Sequence, residues 1–134
     1  MTVPEPPFVF TIDPEARLVS VQFTGNISYS SIHNYAVSLR VDRSFSPAFS
    51  EIVDLRLVDS VTLSAREAMA LAYSADPFSR RVKRAFVVQN QSQIHAAHLH
   101  RILRPESKKI RIFFSIEDAR EWIASSRAEA AASG

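Results

Sequence analysis

Strand-like and helix-like hydrophobic patterns alternate along this chain, and the alternation constrains the fold more than any single motif does. Phe8, Phe10 and Ile12 alternate with Val9 and Thr11. Turn residues follow from Asp13 to Arg17, and Val19, Val21 and Phe23 then alternate with Ser20, Gln22 and Thr24. This spacing predicts two strands in a hairpin unit closed by Gly25-Asn26. Ile32, Tyr35, Ala36 and Leu39 recur at helical spacing. Ser28 stands as N-cap, with Ile27 and Ile32 placed as a hydrophobic staple, and the helix runs to about Asp42.

Ile52, Val53 and Leu55 form a short third strand. Ser64-Ala65-Arg66-Glu67 is a capping box that opens a second helix carrying Ala68, Leu71 and Ala72 and stopping before Asp76-Pro77. Ala85 to Val88 is apolar without alternation, as in a buried parallel strand. Asn90 with Gln93 caps a third helix whose core side is predicted as Ala96, Leu99, Ile102 and Leu103. Ile110 to Phe114 is a fifth strand, and Ser115 with Asp118 starts a last helix bearing Ala119, Trp122 and Ile123.

The resulting order is β-β-α-β-α-β-α-β-α. Strands alternating with helices imply parallel pairs joined by right-handed crossovers, while the opening hairpin adds one antiparallel pair. The expected fold is α/β: a single mixed, mostly parallel five-stranded sheet with four helices. A flexible leader is expected over residues 1–7, the domain over 8–124 and a frayed tail over 125–134.

The rarer residue types exclude several chemistries. The chain has no cysteine, which removes disulfides, thiolate metal sites and cysteine nucleophiles. Its two glycines, Gly25 and Gly134, cannot build a P-loop or a Gly-x-Gly-x-x-Gly turn, and no Gly-x-Ser-x-Gly elbow is present. No cofactor is implied. The N-terminus lacks a basic then apolar signal, and no apolar run approaches the roughly 18 residues of a membrane span, so a cytoplasmic protein is expected.

Gly25-Asn26-Ile27-Ser28 before the first helix, Ile52-Val53-Asp54-Leu55, Arg84-Ala85-Phe86-Val87-Val88, and the run Ile112 to Ile123 together resemble the SpoIIAA-like (STAS/SEC14-type) domain family over about residues 8 to 124. The resemblance implies a non-enzymatic regulatory module that binds a protein partner, as anti-sigma-factor antagonists do, or a small apolar ligand or lipid, as SEC14-type domains do, with an enzyme as the third alternative. In the antagonists a serine at the start of the second helix is phosphorylated. The matching position is Ser64, although the Asp-Ser-Ser-Gly common there reads Thr62-Leu63-Ser64-Ala65 in this chain.

Ser64 is therefore the candidate switch, since a helix N-terminus favours added negative charge, and its capping role explains the same residue without any switch. Asp54, Asp59, Thr62, Ser64 and Asn90 are candidates for an interaction or ligand edge, because polar residues that follow parallel strands gather where open α/β sheets bind ligands. Nine bases against one acid lie between Pro77 and Arg111. Of these, Arg80, Arg81, Lys83, Arg104, Lys108 and Lys109 are candidates for an anionic surface contact. The missing aromatic interleaving argues against nucleic acid. His95, His98 and His100 cannot converge on one ion, because His98 and His100 project about 160° apart on a helix; no metal site is assigned. Ile94 is predicted to point outward, which makes a second copy of the chain a candidate partner.

Overall fold

The computed structural model describes residues 7–105, 107 and 109–133, with side chains described up to Ser125. Lys108 and the leader before Pro7 lie outside the described residues. The elements are β1 (Phe8–Asp13), β2 (Leu18–Ser28), α1 (Tyr29–Val41), β3 (Ser50–Thr62), α2 (Ala65–Tyr73), β4 (Lys83–Val87), α3 (Gln91–Leu103), β5 (Lys109–Phe113) and α4 (Ile116–Ser133). They form one five-stranded sheet in the order β1-β2-β3-β4-β5, with β1 antiparallel to β2 and every other pair parallel. The mixed, mostly parallel sheet expected from the sequence is the sheet observed.

Each crossover from β2 to β5 steps one strand in the same direction, so right-handed connections bring α1, α2 and α3 to the same face. The last helix has no further strand to reach and covers the other face. Two cores follow. The larger packs Val19, Val21, Val53, Leu55 and Phe86 against Tyr35 and Leu39 of α1 and Ala97 of α3. The smaller joins Ile52, Ala85 and Val87 to Ala119 and Ile123 of α4.

Two expectations are corrected. First, Gly25-Asn26 does not end the second strand: β2 continues to Ser28 and pairs with a β3 that extends to Thr62. Register shifts near Thr24 and Gly25 mark bulges, and Gly25 adopts φ +73°, a conformation that suits glycine. Second, the inward face of α3 is shifted from the predicted one at Ile94 and Ile102. Ala96, Leu99 and Leu103 face inward as predicted, but the face is centred on the buried Gln93 and Ala97, Ile102 is 73% exposed, and Ile94, expected to point outward, packs on the core. The last helix, α4, runs to Ser133.

The shift in the face of α3 has a hydrogen-bonding reason. β4 pairs with β3 only as far as Asp54, which leaves the later β3 carbonyls without a strand partner on that side. Gln93 Nε2 donates to the Arg56 and Val58 carbonyls, each at 3.1 Å, and Gln93 Oε1 accepts from the Gln89 N–H at 2.7 Å. A buried amide thus replaces a missing strand neighbour.

Candidate functional site

Alternation along the parallel strands carries charge into the larger core. Glu51 shares a face of β3 with Val53 and Leu55, Arg84 shares a face of β4 with Phe86, and the register sets Glu51 directly beside Arg84. Both are almost fully buried, at 3% and 1% exposure. Arg84 Nη2 donates to Asp76 Oδ1 at 2.5 Å and Nη1 to His100 Nε2 at 3.2 Å, while Nε stands 3.5 Å from Glu51 Oε1 without a hydrogen bond. Tyr35 Oη closes the cluster by donating to Glu51 Oε2 at 2.6 Å. The guanidinium also lies over the Phe78 ring at 4.6 Å, and the His100 ring packs on Phe86 at 4.9 Å.

Burial governs the titration of this cluster. It raises the Glu51 carboxyl above the usual carboxylate range despite the opposing pull of Arg84. Burial and then the Glu51 charge push the Tyr35 phenol well above its ordinary value. Burial first and Arg84 second lower His100 to about 3, so the ring is neutral at physiological pH.

The cluster forms the polar end of a pocket between the sheet and α1–α3. The centre of a water-sized sphere can occupy about 110 Å³ there, of the order of apolar cavities that admit a benzene-sized molecule. Phe23, Ile27, Val53, Leu55 and Phe86 form the sheet wall; Leu71, Ala96, Leu99 and Leu103 form the helix wall. Tyr35, Glu51, His100 and Arg104 are its polar lining.

Three arginines hold the chain where it leaves α2, on the margin of this pocket. Arg40 of α1 donates to the Ala75 carbonyl, Arg84 binds Asp76, and Arg104 donates to the Ser74 carbonyl at 2.7 Å and to Ser74 Oγ at 3.3 Å. The opposite end of α2 is held differently. Ser64 Oγ accepts from the Glu67 N–H at 3.1 Å, Glu67 Oε1 accepts from the Ser64 N–H at 2.9 Å, and Ser64 is exposed. Leu71 is the buried residue of this nine-residue helix.

The structure distributes the sequence-derived candidates over several places. Asp54 lies within β3 rather than beyond it, faces the α4 side of the sheet and is 6% exposed. Burial alone would raise its carboxyl, but Arg56, through side chain and backbone N–H, and Gln22 hold it below the usual range. Ser64 begins a helix on the opposite face, so Asp54 and Ser64 do not share a site. Asp59 is exposed in a second groove beside His95, Thr62 Oγ1 donates to Asn26 Oδ1 at 2.9 Å, and Asn90 Oδ1 caps α3 through the Gln93 N–H at 3.0 Å.

Among the basic candidates, Arg104 is buried on Ser74. Lys83 Nζ donates to the Trp122 carbonyl at 2.9 Å and sits 4.7 Å from that ring's centre. Arg80, Arg81 and Lys109 are exposed.

Of the pocket's polar set, Arg104 was read from the sequence only as an anionic surface contact and His100 only as a metal ligand to be set aside, while Tyr35, Glu51 and Arg84 were not among the candidates. The available signal was one of phase: an acid and a base, Glu51 and Arg84, each occupy an inward position at the start of an apolar strand. No helix among the described residues is long and apolar enough to cross a membrane.

No protein-family model matches the sequence. No curated protein matches it either. Among solved structures, the chain is similar to an uncharacterised protein of the DUF3478 family with a SpoIIAA-like fold from Shewanella loihica PV-4. The TM-score is 0.59 at 16% identity, covering 92% of this chain and 98% of that one. The fold of this chain is SpoIIAA-like, in agreement with the resemblance read from its strand and helix motifs.

Proposed function

We propose that this protein is a non-enzymatic regulatory module that takes a small, mainly apolar molecule into the pocket between its sheet and α1–α3. The pocket itself carries the reading, because apolar walls ending on a few fixed polar groups are the usual make-up of a small-molecule site. A regulatory role is drawn by analogy from the SpoIIAA-like fold and rests on fold-level likeness. A bound molecule would touch Leu63 and Leu71 and so bear on α2, whose exposed N-terminal end would report occupancy to a protein partner. A cytoplasmic setting belongs to the same proposal.

Native mass spectrometry tests the pocket reading. Wild-type protein is expected to carry or accept one small apolar adduct, and Leu99→Trp, which fills the pocket from α3, is expected to lose it. Equal adduct formation by a folded Leu99→Trp variant would remove the proposal.

A second reading, a protein-docking surface switched at Ser64, is favoured by a separate observation. Leu57, Val61 and Met69 are exposed on the elements on either side of the exposed Ser64 hydroxyl. Phosphorylation there would displace the Glu67 carboxylate from its 2.9 Å contact with the Ser64 N–H and open the capping box. Intact-mass analysis of protein isolated from its own cells should show a phosphate adduct that Ser64→Ala lacks. A phosphate that persists in Ser64→Ala sinks this reading.

A further inference from the structure

The polar end of the pocket is balanced in charge and mixed in hydrogen-bonding sense, and together these properties define a ligand head. Arg104 and Glu51 line the pocket, and behind them Arg84 pairs with Glu51 and Asp76, so two guanidinium groups stand with two carboxyl groups. Arginine carries only donors, so Arg84 Nη1 at 3.2 Å makes His100 Nε2 the acceptor and places the ring proton on Nδ1. Among the described residues nothing accepts from that Nδ1–H. Glu51 supplies the complementary group: Oε2 is taken by Tyr35, whereas Oε1 receives no hydrogen bond from Arg84 Nε at 3.5 Å.

We infer that the pocket selects an uncharged small molecule with one hydroxyl on an apolar body, an alcohol or phenol, which accepts from His100 Nδ1–H and donates to Glu51 Oε1. The inference rests on the ligand-binding reading above and specifies the head group. A carboxylate in the same place would face Glu51, and an ammonium would face Arg104 with Arg84 behind. Either would set an unmatched charge in a buried, already balanced cluster. A wholly apolar molecule would leave the His100 donor and the Glu51 acceptor unmatched.

A ring-matched set separates these cases: toluene, benzyl alcohol, benzoate and benzylamine, each titrated into wild-type protein at neutral pH and followed by methyl NMR. Benzyl alcohol is expected to bind about tenfold more tightly than toluene, with both ions weaker than toluene. The His100 ring nitrogens should show a proton on Nδ1 whose resonance moves with benzyl alcohol, and His100→Leu should bring benzyl alcohol close to toluene. If that variant does not fold, the wild-type series and ring spectrum still decide. Equal binding of toluene and benzyl alcohol, or tightest binding of an ion, overturns the head-group inference and leaves an apolar pocket standing. Failure of all four to bind removes the ligand-binding reading itself.

Discussion

Replacing Arg84 by methionine should destabilise the protein more than most single substitutions, and the structure indicates by how much. The guanidinium serves two carboxyl groups and a histidine at once: Asp76 at 2.5 Å, Glu51 at 3.5 Å and His100 Nε2 at 3.2 Å. Methionine fills much of the side-chain volume, so loss of packing is small and the charge dominates. Removing one partner from a buried ion pair costs about 3–5 kcal/mol, because the remaining charge stays in a poor solvent. At about 3 °C per kcal/mol for a domain of this size, the midpoint should fall by about 10–15 °C.

Urea unfolding followed by Trp122, the single tryptophan, gives the free energy directly. The charge origin has its own signature. Arg84→Met combined with Glu51→Gln and Asp76→Asn should recover at least half of the loss, since no uncompensated buried charge remains. A loss below about 1 kcal/mol in Arg84→Met, or a triple variant no more stable than the single one, would refute the account of the cluster.

Other outcomes follow from the same geometry. His100 is lowered to about 3 in the folded chain, so the unfolded chain binds the extra proton below pH 6.5 and stability falls as pH drops. One and a half pH units at about 1.4 kcal/mol each make this contribution about 2 kcal/mol between pH 6.5 and 5. The slope of unfolding free energy against pH should be correspondingly shallower in His100→Leu. Ser64→Ala removes the acceptor for the Glu67 N–H and should cost about 1 kcal/mol in urea unfolding, with faster amide exchange over the first turn of α2. Gly25→Ala should cost about 1 kcal/mol in backbone strain alone, because φ is +73° and no atom lies within 4 Å of the added methyl. A crystal structure of that variant should show no side-chain rearrangement around residue 25.

The element order was legible because each helix start is written locally. Ser28, Ser64 and Asn90 cap as their positions suggest, and Ser31 takes the capping-box role that Glu67 takes in α2. Alternation placed Val19, Val21 and Phe23 correctly on one buried face. What local pattern did not reveal depends on distant pairing. The tip of β3 is polar and reads as loop, yet it is a strand because β2 runs alongside it, with Asn26 accepting from both Ser60 and Thr62. Periodicity placed Ala96, Leu99 and Leu103 inward correctly but ranked Ile102 above Gln93, whereas the carbonyls of Arg56 and Val58 need a buried amide. The pocket's polar set stayed hidden for the same reason. Glu51, Asp76, Arg84 and His100 are scattered in sequence, and only the parallel register of β3 with β4 and the packing of α3 bring them together.

Xenon binding tests the central claim, an accessible apolar pocket between the sheet and α1–α3, without presuming any ligand head. In methyl NMR under xenon pressure, the Leu71, Leu99, Leu103 and Val53 resonances should shift in a saturable way while the Ile52, Val87 and Ile123 methyls on the α4 side stay fixed. Absence of saturable shifts in the first group, or equal shifts on both faces of the sheet, would contradict the account.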